Sequence, residues 1–107
     1  MREADPNEAQ RLMAEGATLL DVREADEWAA GHAPGAVHIP LSSLDPTEAP
    51  EGQPLLTVCR SGRRSAEALT QLSAGGREVI NVSGGMVAWR DAGLPVVTDD
   101  GAHGRIA

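Results

Sequence analysis

The sequence predicts an α/β fold in which a central parallel β-sheet carries helices on both faces. Short apolar segments of strand type alternate with segments of helical spacing along the chain. The strand segments are apolar at nearly every position, which is typical of strands buried on both faces of a parallel sheet. The chain has 107 residues, enough for one domain and too few for two. We expect a single domain over residues 1–98, followed by a flexible polar tail over 99–107.

The first half of the chain holds two predicted helices and two predicted strands. Asp5 is placed to cap the first helix, Pro6 suits its first turn, and Gly16 ends it. Gly31 stops the second helix, and a turn at 32–35 leads to the second strand. The elements are predicted over residues 5–15 (helix), 18–22 (strand), 25–30 (helix), 36–39 (strand) and 41–44 (a helical turn).

The second half continues the alternation after a surface loop predicted over residues 45–54, which is rich in proline. The clearest strand follows and leads directly into Cys59. Gly62 interrupts the chain before a segment of helical spacing. The remaining elements are predicted over residues 55–58 (strand), 64–72 (helix), 78–82 (strand) and 86–92 (helix).

The composition limits the partners and cofactors that the protein uses. A formal net charge of -7 argues against nucleic acid or an anionic membrane surface as the main partner. One cysteine excludes an internal disulfide and a zinc site with several thiolates, and we expect no metal and no other cofactor. The charged N-terminus and the lack of any long apolar run predict neither a signal peptide nor a membrane span, so we expect a cytoplasmic protein.

The segment that follows the clearest strand carries the main functional signal. It places Cys59 at the carboxyl end of a strand, where ligands bind in parallel sheets, and a tight loop and a helix come next. Loop amides, the helix N-terminus and the guanidinium groups of Arg60, Arg63 and Arg64 all stabilise a thiolate. These features favour a reactive thiol over an inert buried one, provided that the thiol is ionised and open to solvent. Arg63 is also consistent with a solvated helix face.

The residues of the loop and their spacing can be compared with two other kinds of anion-binding loop. A nucleotide-binding P-loop needs a lysine, and the chain contains none. Cysteine-dependent phosphatases and arsenate reductases place an arginine six positions after the cysteine. Here the sixth position is Ser65, and Arg64 stands at the fifth, so the loop is one residue short of a phosphate cradle.

Three segments, in order along nearly the whole chain, resemble the rhodanese sulfurtransferases. The first resembles the N-terminal signature of that family, the second its active loop and the third its C-terminal signature. They are residues 20–24 with 27–28 and 31–36, then residues 59–65, and finally residues 84–89 with 92–95.

The resemblance implies a single rhodanese-like domain with a sheet that is typically five-stranded, so a fifth strand is expected around residues 2–4. It also implies a catalytic cysteine at Cys59. Members of the family that lack the cysteine only bind, and this chain is not one of those. The active loop that would bind the substrate maps onto Arg60, Ser61, Gly62, Arg63, Arg64 and Ser65.

Other residues of the signatures are interpreted as structural. The chain has no Phe and no Tyr, and its two tryptophans, Trp28 and Trp89, are predicted to fill the core. Asp21 and Arg23 are predicted to brace the end of the sheet through an ion pair and hydrogen bonds. Glu27 stands four residues after Arg23, so these two side chains are also placed to pair.

The resemblance implies a double displacement. The Cys59 thiolate takes the outer sulfur of thiosulfate or a similar donor as a persulfide, and an acceptor (cyanide in the usual assay, or a thiol or protein in the cell) then removes it. Arg60 is the first choice for steering the anionic donor, and Arg64 the second. His32 and His38 are predicted to be structural, because an ionised sulfur needs no base. A sulfur carrier or interaction module without useful turnover stays open, as does a phosphatase or arsenate reductase.

Overall fold

A five-stranded parallel β-sheet forms the centre of the fold. The computed structural model describes residues 1–107, and the strands lie in the order β1-β5-β4-β2-β3 with every pairing parallel. Four strands are those predicted from the apolar runs, and the fifth lies where the resemblance places it. The strands are β1 (Glu3–Ala4), β2 (Thr18–Asp21), β3 (Val37–His38), β4 (Leu55–Val58) and β5 (Val79–Val82).

Three α-helices connect strands and a fourth follows β5, and each begins and ends within one residue of its predicted bounds. They are α1 (Pro6–Ala14), α2 (Ala25–Ala30), α3 (Arg63–Ser73) and α4 (Gly85–Asp91). Asp5 caps α1 as predicted, because its carboxylate accepts a hydrogen bond from the Glu8 amide at 2.8 Å. None of these helices is long and apolar enough to cross a bilayer.

Apolar cores lie on both faces of the sheet, because successive strand residues point to opposite sides. Leu19, Leu56 and Ile80 pack on the same face as α1 and α4, together with the fully buried Trp89. Their neighbours in sequence, Leu20, Leu55 and Val79, face α3. The predicted layers, helices on both sides of the sheet, are confirmed.

Trp28 does not fill the core, so that prediction is wrong. Its indole is half-buried, and the rings of His32 and His38 stack on it with centroid distances of 3.6 and 4.8 Å. The reason is that α2 has six residues and none of them is buried, so this helix presents no face to the core. Each histidine also donates a 2.8 Å hydrogen bond to a backbone carbonyl, in agreement with a structural role.

Asp21 and Arg23 brace the end of the sheet, as predicted. Both side chains are fully buried, and the guanidinium binds the carboxylate at 2.7 and 2.9 Å while also donating to the Gly31 carbonyl at 2.8 Å. The predicted pairing of Arg23 with the Glu27 side chain is wrong. Arg23 contacts only the backbone carbonyl of Glu27, because the buried Asp21 carboxylate takes the guanidinium.

Residues 99–107, predicted as a flexible tail, pack against the domain in this structure. The Gly104 amide donates to Val96 and the Arg105 amide donates to Ala30, both at 2.9 Å, and Ile106 packs on the core. Gly104 permits this approach, since a Cβ there would lie 2.8 Å from the Cα of Gly31. These backbone contacts leave no trace in hydrophobic patterning, and the mobility of the segment stays a prediction.

Candidate active site

A tight loop after β4 carries the cysteine. Cys59 directly follows the carboxyl end of this central strand, and α3 begins four residues later at Arg63. Gly62 caps α3 with a φ of +107°, a left-handed conformation that glycine adopts without a Cβ penalty. The turn therefore closes over the sulfur and leads directly into the N-terminus of a helix of 11 residues.

Hydrogen-bond donors surround the sulfur. The Gly62 amide donates to Cys59 Sγ at 3.1 Å, and the Ser65 hydroxyl donates to it at 3.4 Å. Burial opposes ionisation of the thiol, but hydrogen bonds from the hydroxyl and amide of Ser65 and from the amides of Gly62 and Ser61 outweigh it. The pKa of Cys59 is therefore lowered from its ordinary value. The amides and the hydroxyl of the loop are thus placed to stabilise a thiolate.

The cysteine is not open to solvent, contrary to expectation. Its exposed fraction is 1%, and one side of it packs against apolar residues of the α3 face such as Leu20 and Ala68. The other side meets the polar groups of the loop. The largest open cleft, about 710 Å³, lies between the end of α4 and the C-terminal segment and includes no loop residue. The thiol thus lies at the floor of a closed loop, held there by polar donors.

The three loop arginines have different surroundings. Arg64 donates to both carboxylate oxygens of Glu27, at 2.7 and 2.9 Å. These hydrogen bonds lower the pKa of Glu27 to about 2 and raise that of Arg64, and the negative charge of Cys59 adds to the second effect. Arg60 and Arg63 are exposed and pair with no aspartate or glutamate side chain, although Arg60 Nε donates to an oxygen of the last residue, Ala107, at 3.0 Å.

The arginines of the chain differ in whether they form an ion pair with a carboxylate side chain. Of the nine arginines in the chain, five form ion pairs and four do not, and two of those four lie in the loop. Two arginines without an aspartate or glutamate partner thus lie in the loop that carries the only thiol of this acidic chain. The paired arginines are Arg2, Arg11, Arg23, Arg64 and Arg90, and the unpaired ones are Arg60, Arg63, Arg77 and Arg105.

The family model described as Rhodanese-like domain matches residues 5–92. The chain belongs to this family. The crystal structure of a rhodanese-related protein from Thermoplasma volcanium superimposes with a TM-score of 0.84 at 30% identity, over 92% of this chain and 100% of that one. The sheet order and helix placement are thus those of a rhodanese-like fold.

Two relatives differ in how much of their length this rhodanese-like chain covers. An uncharacterized protein of Synechocystis is 43% identical over 96 residues, which are 86% of this chain and 54% of that protein. A protein of Allochromatium vinosum named sulfurtransferase is 37% identical over 97 residues, 87% of this chain and 91% of that protein. The chain thus spans about half of the first relative and nearly all of the second.

Asn81 of strand β5 also binds the loop that carries Cys59, and the sequence analysis did not predict this contact. Its side chain is fully buried in β5, its Nδ2 donates to the Gly62 carbonyl at 3.1 Å, and Thr57 Oγ1 donates to its Oδ1 at 3.3 Å. The signal in the sequence is a polar residue inside an otherwise apolar strand, Val79–Val82. A buried amide requires partners, so its position beside the loop is informative.

The N-terminus of α4 holds the same loop from the side. The Met86 amide donates to the Cys59 carbonyl at 2.8 Å, and the Val87 amide donates to the Arg60 carbonyl at 3.1 Å. Gly85 permits this contact, because a Cβ there would lie 2.5 Å from each of those carbonyl oxygens. The second glycine of the C-terminal signature is therefore a close-approach residue, which supports its structural interpretation.

Proposed function

We propose that the protein is a sulfurtransferase that moves the outer sulfur of thiosulfate, or of a similar small anionic donor, through a persulfide on Cys59. The observation that carries the proposal is the convergence of N–H and O–H donors on the Cys59 sulfur. Membership of the rhodanese-like family and similarity to a protein named sulfurtransferase support it. Such donors favour the thiolate over the thiol and suit a negatively charged sulfur chain.

The first step forms one sulfur–sulfur bond and breaks another. The Cys59 thiolate attacks the outer sulfur of thiosulfate, whose own sulfur–sulfur bond breaks and releases sulfite with the bonding electron pair. Cys59 then carries the outer sulfur as a persulfide anion. The amides of Ser61, Gly62 and Ser65 are the groups available to hold that charge, so the same donors serve both halves of the reaction.

The unpaired loop arginines suit an anionic donor. Arg60 and Arg63 lie at the loop surface without a carboxylate partner, whereas both ends of the Arg64 guanidinium are bound to Glu27. We therefore propose that Arg60 is the main residue that attracts the anionic sulfur donor, and that Arg64 fixes the loop to α2. Two guanidinium groups without an aspartate or glutamate partner in one loop attract a small anion to that loop.

We propose that the acceptor is a separate molecule. Cys59 is the only thiol in the chain, so no second cysteine can remove the outer sulfur. A small thiol, cyanide or a cysteine of a partner protein attacks the outer sulfur, and the Cys59 thiolate leaves with the electron pair. We propose a cytoplasmic location, because thiols stay reduced there and are available as acceptors.

Intact-mass spectrometry after incubation with thiosulfate tests the proposal. We expect the wild-type protein to gain one sulfur atom and the Cys59→Ser variant to gain none, and we expect cyanide to return the wild type to its original mass while thiocyanate appears. An unchanged mass, or an equal gain in Cys59→Ser, contradicts the proposal. Cys59-dependent hydrolysis of an aryl phosphate would instead favour the phosphatase reading, which the occupied Arg64 disfavours.

One alternative is a sulfur carrier: a partner protein would open the loop over the nearly buried Cys59 and exchange sulfur with it, and turnover with small acceptors would be poor. Its persulfide would form with thiosulfate but would discharge slowly to cyanide or glutathione. Stopped-flow measurement of persulfide discharge separates the two functions. Rapid discharge to small thiols supports the enzyme, and discharge only in the presence of a partner protein supports the carrier.

A further inference from the structure

We propose that Asn81, which lies outside the loop, is a positioning residue that holds Gly62 in the orientation in which its N–H reaches the Cys59 sulfur. The contribution to sulfur transfer rests on the proposed function. The contribution to the state of the thiol does not, and it is measured without any sulfur donor.

The geometry links Asn81 to the sulfur through a single residue. Asn81 Nδ2 donates to the carbonyl of Gly62 at 3.1 Å, and the amide of Gly62 donates to Cys59 Sγ at 3.1 Å. Asn81 of strand β5 therefore binds the Gly62 carbonyl, while the Gly62 N–H points at the sulfur. Among the side chains, only that of Asn81 donates to this carbonyl; the other donor is the Ala66 amide of α3, at 3.2 Å.

Gly62 needs such a hold because its conformation is not fixed by sterics. Its φ of +107° belongs to the region that glycine alone visits freely, and glycine also leaves that region freely. A rotation of either flanking peptide would turn the N–H away from the sulfur. The bond from Asn81 opposes that rotation, since Asn81 is rooted in the central strand β5 and is fully buried.

The partners of Asn81 determine which way its amide points. Thr57 Oγ1 donates to Oδ1 at 3.3 Å, and Glu3 Oε2 accepts a second bond from Nδ2 at 3.3 Å. The reverse orientation would set Oδ1 against a carbonyl and a carboxylate, and neither can donate. The amide is thus oriented by groups on both neighbouring strands, β4 and β1.

Titration of the thiolate by its ultraviolet absorbance tests the proposal, with Cys59→Ser as the blank. The two test variants are Asn81→Ser, whose hydroxyl is too short to reach Gly62, and Asn81→Leu, which is neutral and of similar size. We expect both variants to raise the pH midpoint of the Cys59 titration. At pH values below the wild-type midpoint, the thiolate fraction should then fall about threefold to tenfold, since one pKa unit is a factor of ten. Thr57→Val is the matched control, because it disturbs the same buried group and leaves the Asn81–Gly62 bond in place.

Several results would overturn the proposal. One is a Cys59 titration midpoint equal to that of wild type in both folded Asn81 variants. Another is a shift in Thr57→Val as large as that in the Asn81 variants. Loss of folding in both variants, judged by circular dichroism, would assign Asn81 to the fold instead of the loop. A second measurement uses the rate of persulfide formation: we expect the Asn81 variants to be slow at low pH and to recover as pH rises. If wild type takes up no sulfur while the midpoints shift, the proposed function fails and this inference stands.

Discussion

Arg64 and Glu27 form a bidentate ion pair that joins the loop helix α3 to the short helix α2. The two guanidinium nitrogens lie 2.7 and 2.9 Å from the two carboxylate oxygens, and both side chains are half-buried. Glu27 belongs to the N-terminal signature and Arg64 to the loop, so the pair connects segments that are 37 residues apart. Its consequence is that the arginine nearest in spacing to that of a phosphatase is already neutralised.

The Glu27→Gln variant should be less stable than wild type by about 1–3 kcal/mol near neutral pH, because a half-buried bidentate pair lies between the exposed and fully buried cases. Urea denaturation measures the difference. The pKa of Glu27 is lowered to about 2 in the folded protein, so its contribution is fully present above its ordinary value of 4.5 and is lost as pH falls toward 2.

The difference between wild type and Glu27→Gln should therefore shrink between about pH 5 and pH 2. Arg11→Ala is the control, since Arg11 pairs with the exposed Glu15 and its removal should cost less than about 1 kcal/mol. A stability difference that stays constant across the acidic range would show that the ion pair does not supply it.

The Ser65→Ala variant should raise the pKa of Cys59. The hydroxyl of Ser65 donates to the sulfur at 3.4 Å and is the largest of the effects that favour the thiolate. The thiolate absorbance should titrate at higher pH, and persulfide formation at neutral pH should slow about threefold to tenfold. Ser61→Ala is the matched control, because Ser61 acts through its backbone amide, which the substitution keeps. Equal behaviour of the two variants would show that the hydroxyl has no role.

The Arg60→Ala variant should raise the KM for thiosulfate by about threefold to tenfold, as expected for one lost charge near a small anion, and leave the pKa of Cys59 in place. Arg60 is exposed in the loop and has no carboxylate partner. Arg77→Ala is the control, because Arg77 is also unpaired but binds backbone carbonyls of the 45–54 loop. Steady-state kinetics at low ionic strength gives the comparison. The same KM in both variants would remove Arg60 from donor attraction.

The Asp21→Asn variant should cost about 3–5 kcal/mol of unfolding free energy, since it leaves the Arg23 guanidinium buried without its counter-charge. Both side chains are fully buried, and Arg23 also ties the Gly31 carbonyl to the sheet. Urea denaturation gives the value. A loss below about 1 kcal/mol, the range of exposed pairs, would show that Arg23 is stabilised by its carbonyl contacts alone.

The apolar runs predicted the fold well because its strands are buried on both faces. Leu55–Val58 and Val79–Val82 have no exposed residue, so their sequences are continuous and easily found. The two-residue strand β1 has no periodicity of its own, and only the resemblance located it. The C-terminal segment is held largely by backbone hydrogen bonds, which composition does not reveal.

The site was predicted where its parts are adjacent in the chain and missed where they are distant. Cys59, Gly62 and Ser65 act within one loop, so their spacing carried the signal. Glu27 and Asn81 reach the loop from other elements, and no local pattern pairs a glutamate of α2 with Arg64 or an asparagine of β5 with Gly62. The burial of the thiol was missed for the same reason, since Leu20 and Ala68 cover it from separate elements.

The contact between the N-terminus of α4 and the loop joins two segments that are far apart in the chain. The carbonyls of Cys59 and Arg60 each accept a hydrogen bond from an amide that comes 27 residues later in the chain, that of Met86 or Val87. A nascent polypeptide that ends before Gly85 contains the cysteine, the arginines and the helix-forming segment, but not the anchor that shapes the turn. The arrangement of donors around this thiol therefore depends on a contact that forms only after α4 has been added to the chain.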